Sequence, residues 1–278
     1  MSMTRRDFAI AAAAALTAAS AIDKARAQTA SGGTQNHADH DMSSMPAHWM
    51  GKEQIAFLVY PQFTALDMVG PHHMLTSLMG ATVHVVAKTL DPVVSDAGLI
   101  VSPTKTFDQC PADLDVICVP GGTTGTLAAM QDEQTMRFLK DRGGRAGHVT
   151  SVCTGSLLLG AAGLLDGYSA TSHWATRPLL PIFGARPVDA RVVRDRNRIT
   201  GGGVTAGIDF GLFLVGQLRD REYAEAVQLI AEYAPDPPYD AGTPDRAPAA
   251  VKTMIDDMFV NFIGQAETVG RAAFAASR

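Results

Sequence analysis

A β-branched run leads without a spacer into a cysteine and then into small and aliphatic residues: Val149-Thr-Ser-Val-Cys153-Thr-Gly-Ser-Leu-Leu-Leu-Gly160. The first part suits a buried strand and the last part a helix, so Cys153 falls on a tight strand-to-helix junction. Such a junction belongs to a layered α/β arrangement, with the side chain standing at the carboxyl end of a strand. Small residues at Thr154, Gly155 and Ser156 let the helix pack close beneath the turn. The helix N-terminus directs amide groups and positive partial charge at the sulfur. The thiol pKa is therefore expected below its usual value of about 8.5. The competing reading is an inert buried cysteine at a strand end, and the strand–Cys–Thr–Gly–helix context favours a site thiol.

The rest of the chain repeats the alternation. Ile55–Tyr60 is a continuous apolar run, as in a parallel strand covered on both faces. Residues 65–79 have helical spacing, and Thr82–Ala87 and Asp115–Val119 read as strands. A helix follows at 132–142, then the Val149–Val152 strand and a helix through Leu165. Thr171–His173 is a short extended piece, and Arg191–Arg194 with Arg198–Thr200 reads as a hairpin. Helices occupy 205–218 and 222–233, and 248–275 is a final amphipathic helix. This order indicates a doubly wound parallel sheet in a three-layer α/β sandwich, one domain over 51–235, followed by a loop and an extra C-terminal helix over 236–278. Val251, Met254, Ile255, Met258, Phe259, Phe262 and Ile263 line one side of that helix. The stripe either packs on its own domain or forms a homodimer contact, with the dimer favoured.

Arg5-Arg6-Asp7-Phe8, an apolar run from Ala9 to Ile22 and Ala25-Arg26-Ala27 describe a cleavable export signal over 1–27. The paired arginines point to the twin-arginine route and a periplasmic destination. The apolar run falls short of the ~20 residues a span requires, so no membrane partner is expected. Residues 28–50 read as a flexible tether containing His37, His40, Met42, Met45 and His48. Weak capture of a soft metal competes there with a solvated linker, and the absence of fixed ligand spacing favours the linker. The net charge of −5 carries no basic nucleic-acid footprint. Of Cys110, Cys118 and Cys153, at least one is unpaired, and Cys118 in an apolar strand reads as a small buried hydrophobe.

Two segments should converge on Cys153. Pro120-Gly121-Gly122 closes a strand, and its amides could form an oxyanion site with the Thr154 amide. Asp67, after the first strand, is either a cap of its helix or a group at the ligand-binding carboxyl edge, and one residue can serve both roles.

Leu66-Asp67-x-x-Gly70-Pro71, Pro120-Gly121-Gly122 and Val152-Cys-Thr-Gly-Ser-Leu-Leu-Leu-Gly-Ala-Ala-Gly-Leu-Leu165 together resemble the ThiJ/PfpI family, as do Thr171-Ser-His-Trp174 and Ile199-Thr-Gly-Gly-Gly-Val-Thr-Ala-Gly-Ile-Asp209. The resemblance spans about 53–235 and implies a flavodoxin-like fold within the class I glutamine-amidotransferase-like superfamily. Within that family the chain looks most like isonitrile hydratases and the sensor domains of certain AraC-type regulators. The hydratase resemblance maps the reacting cysteine, threonine and acidic residue onto Cys153, Thr154 and Asp67. It implies hydration of a small-molecule isonitrile to an N-substituted formamide, with no metal or organic cofactor. The chain departs from the family where His73 stands in place of a usual glutamate, and where Thr154 replaces the histidine of protease- and deglycase-type members. His73 is thus a candidate pocket group, with the reading as a structural helix-face histidine favoured. His173 is a candidate pocket hydrogen-bonder for which a structural role is favoured. A non-catalytic ligand-binding or redox-responsive member is the first alternative, and glyoxalase or deglycase activity the second.

Overall fold

The computed structural model describes residues 45–278, and the export signal with nearly all of the tether lies outside the described residues. In chain order the strands are β1 Gln54–Leu58, β2 Thr82–Ala87, β3 Val93–Val94, β4 Ile100–Val101, β5 Lys105–Thr106, β6 Val116–Val119, β7 His148–Val152, β8 Ser169–Ala170, β9 Arg186–Pro187, β10 Val192–Asp195 and β11 Arg198–Gly201. The helices are α1 Ala65–Leu75, α2 Thr124–Gln131, α3 Glu133–Arg145, α4 Gly155–Ala161, α5 Ala206–Leu218, α6 Arg221–Ile230 and α7 Ala249–Ser277.

Seven strands form one sheet in the order β10-β11-β7-β6-β1-β2-β5, with every pairing parallel except β10 with β11 at one edge. Ile55 to Leu58 and Val116 to Val119 are fully buried, as their unbroken apolar runs require beneath helices on both faces. Phe57 pairs with Cys118 and Val119 with Ser151, which aligns the carboxyl ends of β1, β6 and β7. The expected doubly wound sandwich with an extra C-terminal helix is the observed fold.

Several boundaries differ for local reasons. The helix expected over 65–79 stops at Leu75, because Thr76 and Ser77 turn their hydroxyls onto the carbonyls of His73 and Met74. The helix expected at 132–142 is α3, running on to Arg145 and capped by Asp132, which accepts from the Thr135 amide at 2.8 Å; α2 precedes it unannounced. A 3-10 segment at Arg177–Phe183 carries two prolines and no helical apolar period, which hid it in the sequence.

The last residues expected in the tether are instead part of the domain. Ala47–Trp49 forms a 3-10 turn, and the Trp49 ring meets Tyr223 edge-on at 5.1 Å. Trp49 Nε1 donates to Asp220 at 2.8 Å, His48 lies 2.5 Å from the same carboxylate, and Arg219 Nε donates to the Trp49 carbonyl at 2.7 Å.

The apolar stripe of the C-terminal helix divides. Phe262 and Ile263 pack against the domain core, Ala266 and Phe274 are buried, and the Phe274 ring meets Phe183 at 6.0 Å. Val251, Met254 and Met258 stay exposed. The expected dimer stripe therefore loses Phe262 and Ile263 to packing on the chain's own domain. Among the described residues no helix is long and apolar enough to cross a membrane.

Candidate active site

β1, β6 and β7 lie side by side, and the connections diverge to opposite sides of the sheet between β1 and β6. The crevice at such a point, at the carboxyl ends of the strands, is where open α/β sheets bind ligands. Asp67 enters it from the first turn of α1, Gly121-Gly122 from the end of β6, and Cys153 from the end of β7.

Cys153 has φ +57°, in the left-handed region that a side chain rarely adopts. That conformation costs on the order of 1–3 kcal/mol and persists only where its surroundings over-determine it. Here they do. The Cys153 amide donates to the Gly201 carbonyl at 3.1 Å, and its own carbonyl accepts from Ser156 Oγ at 3.1 Å and Ser172 Oγ at 3.2 Å. The elbow geometry read from the sequence is present, locked from β11, α4 and the Thr171–Trp174 run.

Asp67 is completely buried. The Gly121 amide donates to its Oδ2 at 2.9 Å, while Oδ1 has no hydrogen-bond partner among the described residues. Burial pushes this carboxyl up to about 7, against the pull of the Gly121 amide and the Cys153 thiol. Glycine is required at 121, since a Cβ there would stand 2.6 Å from the Thr154 nitrogen and 2.9 Å from Asp67 Oδ2.

The thiol departs from expectation. Burial pushes Cys153 well above the usual thiol range, and the neighbouring Asp67 charge pushes it further. The Thr154 amide and hydroxyl pull it down and are outweighed. A helix terminus contributes about 0.3–1 kcal/mol in ordinary settings, less than removing a charge from water costs. The resting site is a thiol beside a carboxyl group that gains and loses its proton near neutrality.

Gly121 and Gly122 do not present free amides either. The first amide holds Asp67, and the second donates to Thr154 Oγ at 2.9 Å. Thr154 Oγ returns its one proton to the Gly122 carbonyl at 2.8 Å and lies 3.0 Å from Thr126 Oγ. Either hydroxyl can donate in that contact. The hydroxyl of Thr154 braces the turn through Gly122, and both its amide and its hydroxyl stand close enough to the sulfur to act on the thiol. Thr126 and Tyr60 complete this buried network. Tyr60 OH donates to the Pro120 carbonyl at 2.7 Å and lies 3.3 Å from Thr126. Neither residue carried a sequence signal, because a lone threonine in a helix and a tyrosine after a strand match no motif.

His73 does not reach the crevice. It follows Asp67 by six residues, about 240° around a helix with 3.6 residues per turn, so an inward Asp67 sends His73 outward. His73 is exposed, and His72 beside it packs half-buried with its ring 5.3 Å from Phe57. His173 borders the site without bonding the thiol. Its Nδ1 accepts from the Ala175 amide at 3.3 Å, its ring lies against Trp174 and Phe259, and burial lowers its pKa so that it is neutral at pH 7. All three cysteines are free thiols, and no cluster of His, Cys, Asp or Glu suited to a metal occurs among the described residues.

With this geometry in place, comparison with known proteins is specific. The DJ-1/PfpI family's model matches residues 53–217. The isonitrile hydratase of Pseudomonas putida is 57% identical over 198 residues, covering 71% of this chain and 86% of that protein. The HTH-type transcriptional regulator GbdR of Pseudomonas aeruginosa is 32% identical over 199 residues, 68% of this chain and 53% of the regulator. Among solved structures, a ThiJ/PfpI family protein from Pseudomonas syringae superposes with a TM-score of 0.82 at 57% identity, covering 85% of this chain and 98% of that one.

Proposed function

Because the chain belongs to the DJ-1/PfpI family, and its crevice sets a thiol against a protonatable carboxyl group, we propose that it hydrates isonitriles to N-substituted formamides. The observation that carries this reading is Asp67, held by Gly121 through one oxygen, free at the other and titrating near 7 beside Cys153. An isonitrile carbon must gain one proton and one nucleophile, and a carboxyl–thiol pair sharing a proton supplies both at neutral pH.

In the first step the Cys153 sulfur bonds to the terminal carbon while the shared proton passes through Asp67 to that carbon, giving the thioimidate R–N=CH–S–Cys153. The Asp67 carboxylate then takes a proton from water as its oxygen adds to the carbon, and delivers that proton to nitrogen. Cleavage of the C–S bond releases R–NH–CHO, and the hydroxyl proton returns to the thiol–carboxyl pair. One water is consumed and the enzyme is unchanged. The Thr154 amide stabilises the sulfur while it carries charge.

The test is direct. Purified protein incubated with cyclohexyl isonitrile in ¹⁸O water should yield N-cyclohexylformamide with the label in its formyl oxygen. Consumption of methylglyoxal with no formamide formed would transfer the site to glyoxalase chemistry and sink this reading.

The same proposal places the mature protein in the periplasm, supported by Arg5-Arg6-Asp7-Phe8, the apolar run after it and Ala25-Arg26-Ala27. Fractionation should find a periplasmic chain starting near Gln28, retained in the cytoplasm when Arg5→Lys and Arg6→Lys are combined. Full-length chain in the cytoplasm of otherwise unaltered cells would contradict it.

A further inference from the structure

A threonine hydroxyl has one proton to give and two lone pairs to fill. Around Thr154 Oγ the Gly122 amide donates at 2.9 Å, the Gly122 carbonyl accepts at 2.8 Å, and Thr126 Oγ lies 3.0 Å away. The Cys153 sulfur is a further acceptor within reach of the same hydroxyl. The single proton can therefore face the carbonyl or the sulfur, and the groups that hold the oxygen decide how readily it turns.

Thr126 reaches this oxygen because α2 packs closely on the segment after β1. A Cβ at Gly125 would stand 2.5 Å from the Gln62 carbonyl, so only glycine allows that approach. Thr126 is fully buried, and its hydroxyl has two polar neighbours among the described residues, Thr154 at 3.0 Å and the Tyr60 hydroxyl at 3.3 Å. Tyr60 gives its own proton to the Pro120 carbonyl at 2.7 Å, and burial, helped by the Asp67 charge, keeps the phenol protonated. Of the two oxygens, Thr154 is the nearer acceptor for the Thr126 proton.

We propose that Thr126 is a positioning residue for Cys153: it donates to Thr154 Oγ and, with the Gly122 amide, fills both lone pairs, leaving the Thr154 proton to turn from the Gly122 carbonyl onto the sulfur when the thiolate forms. No proton is transferred in this step. A bond to a neutral carbonyl is exchanged for one to a charged sulfur, and charge-assisted bonds are roughly twice as strong. The two accepted bonds polarise the hydroxyl in the same direction. Thr126 acts through Thr154 alone. Its effect on turnover rests on the isonitrile reading above, whereas its effect on the thiol does not.

Iodoacetamide labelling of Cys153, followed by peptide mass at pH 8 where the thiolate is the minority form, reports the thiolate population without any substrate. Thr126→Val keeps the shape and removes the hydroxyl, leaving the ionisable neighbours Asp67 and Tyr60 in place. It should label about tenfold more slowly, the scale of one hydrogen bond to a charged group. Thr126→Ser should return the rate to within about twofold of the unaltered protein. Isonitrile kcat should fall and recover in the same order, with KM within about twofold throughout. Should the Val variant melt well below the unaltered protein, Thr126→Ala takes its place with the same expectations.

A double-mutant cycle isolates the route. In a Thr154→Ala background there is no hydroxyl to direct, so Thr126→Val should change labelling by less than about twofold. An equal loss in both backgrounds would make Thr126 a mere packing residue and overturn the proposal, as would no loss in either or a failure of serine to rescue. If no isonitrile is turned over while the labelling pattern holds, the hydratase reading falls and the positioning role stands. Turnover with labelling indifferent to Thr126 keeps the hydratase reading and removes Thr126 from it.

Discussion

Cys153→Ala is expected to lower isonitrile turnover by roughly three orders of magnitude or more, as loss of a covalent nucleophile does, with little change in stability. Cys153→Ser should be nearly as inactive, since an alcohol is far harder to deprotonate and Asp67 is a weak base for it. Full activity in either variant would remove the thiol from the mechanism. Alkylation probes the same group independently. Burial and the Asp67 charge hold the thiol protonated, so iodoacetamide should modify Cys153 slowly in the native protein at pH 7 and faster as pH rises. Asp67→Asn removes one of those two causes and should accelerate labelling at fixed pH. Cys118, fully buried and pushed up to about 12, should react only on unfolding. Rapid native labelling of Cys153 at pH 6 would show a thiolate that the surrounding burial opposes.

Asp67→Asn should divide activity from stability. The amide oxygen still accepts from Gly121, but no proton can be relayed, and turnover should fall by about 10²–10⁴. Stability should move the other way. The carboxyl titrates near 7 in the folded chain and near 3.9 when unfolded. Between those values the folded chain keeps a proton that the unfolded chain has released, so the contribution of Asp67 is full below about pH 4 and is lost as pH rises to about 7. Three units correspond to about 4 kcal/mol at most. The Asn variant lacks this slope and should be more stable than the unaltered protein above pH 7, by a margin that shrinks toward pH 4. Urea titrations at pH 5 and pH 8 would measure it. A margin independent of pH would mean that Asp67 is ionised throughout, and its role as proton carrier would fail.

What can be read from neighbouring residues was legible in the sequence. The elbow at Cys153 was visible because strand propensity, small residues and helix start follow one another within a few positions. Asp67 was visible through its place after a buried strand, and the parallel sheet through unbroken runs such as Ile55–Leu58. The resemblance to the family rested on these same segments. What stayed hidden depended on distance through space. The amides of Gly121 and Gly122 looked free until the fold brought Asp67 and Thr154 against them. His73 was open between a pocket and a structural role with the structural one favoured, and only the angle of α1 turned it to solvent. Thr126 joined the site only when α2 packed beside the elbow. The direction of the thiol pKa reversed for the same reason. Charge alignment along a helix is a local property that sequence can announce, whereas desolvation and the approach of a second ionisable group exist only once distant segments have closed around the sulfur.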